Sequence, residues 1–205
     1  MKWTLFISLV LVIANNLYSQ VNPNTGTFKD ERDGKVYKTI KIGDQTWLAE
    51  NLAYEPESGN SWTTFTEGES NTPKYGLLYD FETAKIACPT GWHLPSNDEW
   101  MTLINYLGGD KVAGNKMKAN TDWEPFETDI PINSSGFSAL PAGHKMFGKG
   151  TYGYFLNFGL CAYFWSVTPL SDEFYTCSLD SYINYVSLLS FNKASGFNVR
   201  CIKNL

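Results

Sequence analysis

Residues 80–109, DFETAKIACPTGWHLPSNDEWMTLINYLGG, decide the fold. Asp80 is suited to cap a short helix, because an Asp side chain accepts hydrogen bonds from the free amides of a first helical turn. Ser96 and Glu99 have the spacing of a capping box, in which each side chain bonds the other residue's backbone amide. Apolar residues then recur at helical spacing until Gly108-Gly109. The stretch therefore predicts two successive helices.

Strand patterns flank the two helices. Residues 36–42 (VYKTIKI) largely alternate apolar and polar, and the dipeptides Asp33-Gly34 and Gly43-Asp44 are typical of tight turns. From residue 137 onward, aromatic and β-branched runs are separated by turn residues. Strands, then two helices, then a run of antiparallel strands predict a single α+β domain.

The composition excludes several classes of function. The chain has 205 residues, of which 43% are hydrophobic, so it can bury a core of ordinary size. Its 16 basic and 21 acidic residues give a net charge of −5, which disfavours a nucleic-acid partner because phosphate binding needs clustered cations. With only 2 histidines and no catalytic or metal-binding motif, we expect no enzymatic activity, no cofactor and no bound metal.

The first residues have the pattern of a secretory signal peptide. Lys2 supplies a positive charge, residues 5–14 (LFISLVLVIA) are apolar, and Ser19 is a small residue suited to cleavage. Ten residues reach about 15 Å as a helix, half the thickness of the hydrocarbon layer, so this is not a membrane span. We therefore predict a signal peptide over 1–19, a flexible lead-in over 20–27 and one domain over 28–205. The protein is expected to be exported to the cell surface or the medium, with the periplasm as the remaining destination.

Export affects the interpretation of the four cysteines, because an oxidising compartment favours disulfides. An even number of cysteines without a CxxC spacing predicts structural bridges rather than a zinc or redox site. Three pairings exist. We favour Cys88–Cys201 together with Cys161–Cys177, since the first bridge would tie an early helix to the last strand.

Several blocks of the chain resemble a known family. In chain order they are 33–52 (DGKVYKTIKIGDQTWLAENL), 75–79 (YGLLY), 87–96 (ACPTGWHLPS), 99–100 (EW), 136–143 (GFSALPAG), 164–166 (FWS) and 199–201 (VRC). These blocks, which are spread in order along nearly the whole chain after the signal peptide, resemble the Fibrobacter succinogenes major paralogous domain family of exported and surface proteins.

The resemblance implies a fold more than an activity. The family is similar to C-type-lectin-like domains and to formylglycine-generating enzymes, with two helices packed on twisted antiparallel strands. In that fold a cysteine beside the first helix bridges to the last strand, which agrees with Cys88–Cys201. The calcium-dependent sugar motifs of C-type lectins are absent, since Glu124-Pro125-Phe126 lacks the asparagine of Glu-Pro-Asn. The paired redox cysteines of formylglycine-generating enzymes have no match either.

Aromatic residues in the loops suggest a recognition function, because the chain is 16% aromatic and sugar sites use aromatic faces beside polar groups. We expect a surface or extracellular module that binds polysaccharide or a surface protein. One alternative is a structural or adhesive envelope protein without a small ligand, and another is a cryptic enzyme on the formylglycine-generating-enzyme-like fold. The candidate ligand contacts are Trp62, Trp123, Phe126, Tyr152 and Tyr154.

Overall fold

The computed structural model describes residues 24–66, 69–125, 131–147 and 153–205. The signal peptide predicted over 1–19 lies outside the described residues, as does the first part of the lead-in. The last part of the predicted lead-in belongs to a strand of the domain. Its residues from Thr25 onward form a strand, because they pair in register with a second strand, Thr25 opposite Ile40.

The four helices of the described chain lie among strands in its first part, up to Met117. The elements up to the last helix are β1 (Thr25–Lys29), β2 (Val36–Ile42), β3 (Gln45–Leu48), β4 (Ser61–Trp62), β5 (Phe65–Thr66), β6 (Glu69–Ser70), α1 (Thr72–Tyr75), β7 (Leu78–Tyr79), α2 (Phe81–Ala87), β8 (Trp92–His93), α3 (Asn97–Tyr106) and α4 (Asp110–Met117). The remaining elements are strands: β9 (His144–Phe147), β10 (Gly153–Leu156), β11 (Cys161–Leu170), β12 (Glu173–Asp180), β13 (Ile183–Asn192), β14 (Phe197–Asn198) and β15 (Ile202–Lys203).

The predicted helices are present as α2 and α3. The Asp80 side chain accepts a hydrogen bond from the Thr83 amide at the start of α2. The capping box at α3 is complete, because Ser96 Oγ accepts from the Glu99 amide and the Glu99 carboxylate accepts from the Ser96 amide. Helices and mainly antiparallel sheets together confirm the α+β class.

Two larger sheets organise the described residues. One has the order β1-β2-β3-β15-β8, and the other has the order β13-β12-β11-β14-β7-β4. Neighbouring strands are antiparallel except for β11 and β14, which are parallel. The C-terminal segment contributes β14 to the middle of one sheet and β15 to the other. The end of the chain therefore joins the two sheets.

The core lies on both faces of β11. Ala162 and Phe164 belong to a cluster that α3 and α4 cover, whereas Trp165 belongs to a second cluster that contains residues of α2. Side chains alternate between the two faces of a strand, so a central strand can contribute to two clusters at once. This arrangement explains why 164–166 are all buried.

A buried arginine connects segments that are distant in the sequence. Arg200 is fully buried and donates hydrogen bonds to the carbonyl oxygens of Leu48 (3.2 Å) and Phe137 (2.5 Å), and to Oδ1 of Asn51 (2.7 Å). Its guanidinium also lies 4.3 Å from the centroid of the Phe137 ring. Burial lowers the pKa of Arg200 to about 9, and the carboxylate of Glu50 opposes this shift.

The cysteines follow the prediction in one pair and contradict it in the other. Cys88 and Cys201 form a disulfide that links the end of α2 to the residue before β15. Cys161 and Cys177 are buried free thiols, so the predicted second bridge is wrong. Burial raises the pKa of Cys161 to about 11, and this thiol therefore stays protonated near neutral pH.

Strand register explains why the second bridge does not form. In the antiparallel pair β11–β12, Cys161 lies opposite Asp180 and Cys177 lies opposite Phe164. The two cysteines are thus offset by three residues, or about 10 Å along the strands. An odd offset also places their side chains on opposite faces of the sheet. A disulfide needs Cα atoms within about 7 Å and Cβ atoms that point toward each other.

None of the helices in the described part of the chain has the length and apolar composition that a membrane crossing requires.

Titration with a thiol reagent tests the cysteine assignment. We expect no reactive thiol in the native protein and two reactive thiols after unfolding in guanidinium without reductant, because Cys161 and Cys177 are buried and unpaired. The double variant Cys161→Ala/Cys177→Ala is the control and should give no signal in either condition. An unfolded native-sequence chain with no reactive thiol would contradict the register described above.

Replacing Arg200 by methionine tests the buried network. Arg200→Met should lower the free energy of unfolding by about 3–5 kcal/mol, because buried acceptors on Leu48, Asn51 and Phe137 lose their donor. Lys203→Met, a nearby exposed cation, is the control and should change the free energy by less than about 0.5 kcal/mol. Urea unfolding measures both, and equal stability of the two variants would show that the network is dispensable.

Candidate functional site

The structure places the predicted ligand contacts in three different environments. Trp62 is half-buried and lines a surface recess. Tyr154 is 61% exposed on β10. Trp123 is half-buried, packs against the core and donates from Nε1 to the Ala139 carbonyl. Phe126 and Tyr152 lie outside the described residues. Of the described candidates, Trp62 is therefore the ring that lines a recess, whereas Trp123 is a ring that supports the core.

The recess beside Trp62 has a volume of about 590 Å³ and combines aromatic and polar side chains. We call it the aromatic recess. It lies between residues 53–63 and 70–77 on one side and the paired strands β9 and β10 on the other, and its described lining residues are Ala53, Glu55, Ser61, Trp62, Thr63, Ser70, Thr72, Leu77, Lys145 and Phe155.

Trp62 is held in place by contacts with a neighbouring lysine and a glycine. Trp62 pairs with Leu78 through β4 and β7. Nζ of Lys145 lies 4.3 Å from the centroid of its ring, a cation–π distance. A Cβ atom at Gly196 would come within 2.9 Å of Cε3 of Trp62, so only glycine allows the ring to lie this close to the backbone. The ring is therefore positioned before any ligand arrives.

Phe155 supplies the second ring of the aromatic recess. It is 41% exposed and lies opposite Lys145 in the β9–β10 hairpin. Nζ of Lys145 is 5.3 Å from the centroid of the Phe155 ring, so one ammonium contacts both rings. Burial lowers the pKa of Lys145.

Three hydroxyl groups form a chain along one side of the recess. Thr63 Oγ1 lies 3.2 Å from Ser70 Oγ, and Ser70 Oγ donates to Thr72 Oγ1 at 3.3 Å. A hydroxyl both donates and accepts, so the chain can reorient its protons to match a polar ligand. Together with Glu55 and Lys145, these hydroxyls give the recess donors and acceptors close to its two rings.

A larger cleft of about 910 Å³ lies on the other side of α1. We call it the polar cleft. Its described lining includes hydroxyl, amide and charged side chains but no aromatic ring. The lining residues are Thr25, Gly26, Lys38, Thr39, Ile40, Ala49, Glu50, Asn51, Pro73, Lys74, Ala119, Asn120, Thr121, Asp122, Asn133, Gly136, Ser138 and Leu140.

An ion pair crosses the polar cleft between α1 and the segment that follows α4. Lys74 donates from Nζ to a carboxylate oxygen of Asp122, and Thr121 Oγ1 donates to the other oxygen at 2.7 Å. Burial would raise the pKa of Asp122, but the hydrogen bonds from Lys74 and Thr121 outweigh burial and hold the pKa below its usual value. The carboxylate therefore stays charged and paired.

The described residues contain no group of three or more His, Cys, Asp or Glu side chains that could hold a metal ion. The aromatic recess and the polar cleft instead carry dispersed hydrogen-bond donors and acceptors. This arrangement suits hydrogen bonding to a polar organic ligand.

The comparison with known proteins identifies the family. The sequence model of the bacterial Fibrobacter succinogenes major domain matches residues 40–203. The chain belongs to this family. It matches no curated protein and no solved structure.

Blocks that carry the resemblance to the Fibrobacter succinogenes major domain line the polar cleft rather than the aromatic recess. The block 33–52 contributes 38–40 and 49–51, and the block 136–143 contributes Gly136, Ser138 and Leu140. Among the described lining residues of the aromatic recess, Leu77 is the one that belongs to such a block. Half of the described lining of the polar cleft thus comes from family blocks, whereas the described lining of the aromatic recess comes mostly from other parts of this chain.

Sequence reasoning missed Phe155, Lys145 and the polar cleft. Phe155 lies beside the predicted Tyr154, but adjacent residues of a strand point to opposite faces, and the sequence alone does not reveal which face is functional. Nothing in the sequence selects Lys145, because its place in the recess depends on Trp62, a ring that is distant from it in the chain, and on the register that puts Phe155 opposite it.

Proposed function

We propose that this protein is an exported recognition domain that binds polysaccharide, with the aromatic recess as a ligand site. The observation that carries the proposal is the pair of partly exposed rings, Trp62 and Phe155, at an open recess with polar groups close by. Concave sites that place a few polar groups around apolar surface are typical of small-molecule recognition.

The chemistry of the recess matches a sugar better than a purely apolar ligand. A sugar ring has an apolar C–H face and a rim of hydroxyl groups. The rings of Trp62 and Phe155 can cover the C–H face, since aromatic rings bury a large apolar area. Lys145 can donate to ring hydroxyls, and Glu55 can accept from them. Recognition by these groups needs no catalytic residue.

The fold and the N-terminal sequence support the same proposal. Two helices, α2 and α3, precede a run of antiparallel strands, and the Cys88–Cys201 bridge joins the end of α2 to the residue before β15. We assign this arrangement to the C-type-lectin-like class as part of the proposal. Export is supported by the charged and apolar pattern of residues 1–19, and a structural disulfide fits an oxidising destination.

A binding assay with a Trp62 variant tests the proposal. The exported protein should bind at least one member of a panel of plant, host and bacterial polysaccharides, and Trp62→Ala should weaken that binding by about tenfold or more through loss of the ring. EDTA should leave binding unchanged, because Glu55 is the one carboxylate among the described lining residues of the aromatic recess.

Tyr154→Ala is the matched control for this assay. It removes an exposed aromatic ring from β10, but Tyr154 is not among the described lining residues of the aromatic recess, so binding should be retained. Affinity gels with each polysaccharide measure all three proteins. Failure to bind any polysaccharide, or equal binding by the Trp62 variant, would contradict the proposal and favour a structural role.

A further inference from the structure

The aromatic recess and the polar cleft lie on the two sides of one short helix. Thr72, the first residue of α1, lines the aromatic recess, whereas Pro73 and Lys74 line the polar cleft. A helix of four residues is about 6 Å long, so the two sites come within one helix length of each other. A second segment also passes from one site to the other, since Asn51 lines the polar cleft and Ala53 lines the aromatic recess.

We propose that the ligand is an uncharged polysaccharide chain that lies across α1 and occupies both sites at once. This inference rests on the proposed function and adds to it the charge class and the polymeric nature of the ligand. The aromatic recess would hold one part of the chain by ring contacts. The polar cleft would hold the next part by hydrogen bonds.

The lining of the polar cleft suits a chain of sugar hydroxyls. Thr39, Asn120 and Asn133 supply hydroxyl and amide groups, each of which can both donate and accept. Leu140, which is half-buried, adds apolar surface at which the C–H groups of a sugar can lie. A site of this composition binds through many modest hydrogen bonds, each of which contributes a small net gain.

The charges around both sites favour an uncharged ligand. The described lining of the two sites includes three lysines and three carboxylates. They are Lys38, Lys74, Lys145, Glu50, Glu55 and Asp122. The three lysines and three carboxylates balance, so the lining gives an anionic chain no net attraction, and the protein's net charge of −5 repels such a chain. A neutral chain meets no such penalty.

One wall of the polar cleft contains three residues in the left-handed backbone conformation, which few residues other than glycine adopt. Asp122, Asn133 and Ser138 all have positive φ angles, of 73°, 43° and 57°. Asn133 and Ser138 hold each other, since the Ser138 amide donates to Asn133 Oδ1 at 3.0 Å and Asn133 Nδ2 donates to Ser138 Oγ at 2.9 Å. Strained backbone that persists in this way is typical of preorganised binding sites.

The other wall is fixed by the buried network. Asn51 lines the cleft but is only 5% exposed, because its side chain accepts from Arg200 and donates to the Tyr75 carbonyl. Tyr75 is the last residue of α1, so this hydrogen bond also fixes the helix that separates the two sites. A ligand that crosses α1 therefore meets a rigid surface, and binding costs little conformational entropy in the protein.

Calorimetric titration with oligosaccharides of defined length tests the inference. The neutral probes are cello-, xylo- and manno-oligosaccharides from the dimer to the octamer, and the anionic probe is a matched series of oligogalacturonates. Affinity should rise with length for a neutral series until the chain spans both sites, and then level off. The oligogalacturonates should bind more weakly at every length.

Two variants separate the sites. Asn120→Ala in the polar cleft should lower the affinity for the longest neutral oligosaccharide by about fivefold, because only a long chain reaches the cleft. The affinity for the dimer should stay unchanged. Asn105→Ala, which replaces an exposed asparagine on α3, is the matched control and should change neither of these two affinities. Trp62→Ala should lower the affinity for both the dimer and the longest oligosaccharide.

The outcomes distinguish this inference from the proposed function. If long neutral probes bind no tighter than the dimer, or if oligogalacturonates bind as tightly, the inference is overturned while a Trp62 effect still supports the proposed function. If Trp62→Ala has no effect on any probe, the proposed function fails as well. If no oligosaccharide binds, both fail and a protein partner becomes the better explanation.

Discussion

The hydrogen bonds of Arg200 are the constraint on which the rest of the structure depends. Its acceptors on Leu48, Asn51 and Phe137 lie 152, 149 and 63 residues away in the sequence, so no local element could satisfy them. A buried guanidinium is costly unless several acceptors surround it, and only the complete fold brings these acceptors together. The same network places Asn51 at the wall of the polar cleft and, through the Tyr75 carbonyl, holds α1 between the two sites.

Features that depend on neighbouring residues could be predicted from the sequence. The capping box of Ser96 and Glu99 and the alternation in 36–42 specify α3 and β2 through local hydrogen bonds and side-chain periodicity. The Cys88–Cys201 bridge is predictable because it ties an early helix to the last strand, and the structure contains it. The prediction of a Cys161–Cys177 bridge is wrong because the register of β11 and β12 offsets the two cysteines by three positions along the paired strands. The sequence alone does not reveal that register.

The candidate site was predictable only in part, since it depends on convergence in space. Trp62 could be singled out as a large apolar residue within a polar loop, and it does line a recess. Lys145 could not, because its two ring partners come from different segments. The polar cleft was hidden for a similar reason. Asn51 and Ser138 both accept hydrogen bonds from the buried Arg200. That they also line a cleft is seen only in the folded chain.

The central claim is that a neutral polysaccharide contacts the surface on both sides of α1. Two-dimensional NMR of the labelled protein, titrated with the tightest-binding neutral oligosaccharide, tests this claim most directly. We expect shifts at the indole N–H of Trp62, at the backbone amides of Thr72 and Lys74, and at the side-chain amide of Asn120. Shifts confined to the aromatic recess, or located on a surface remote from α1 such as the β12–β13 strands, would contradict the account.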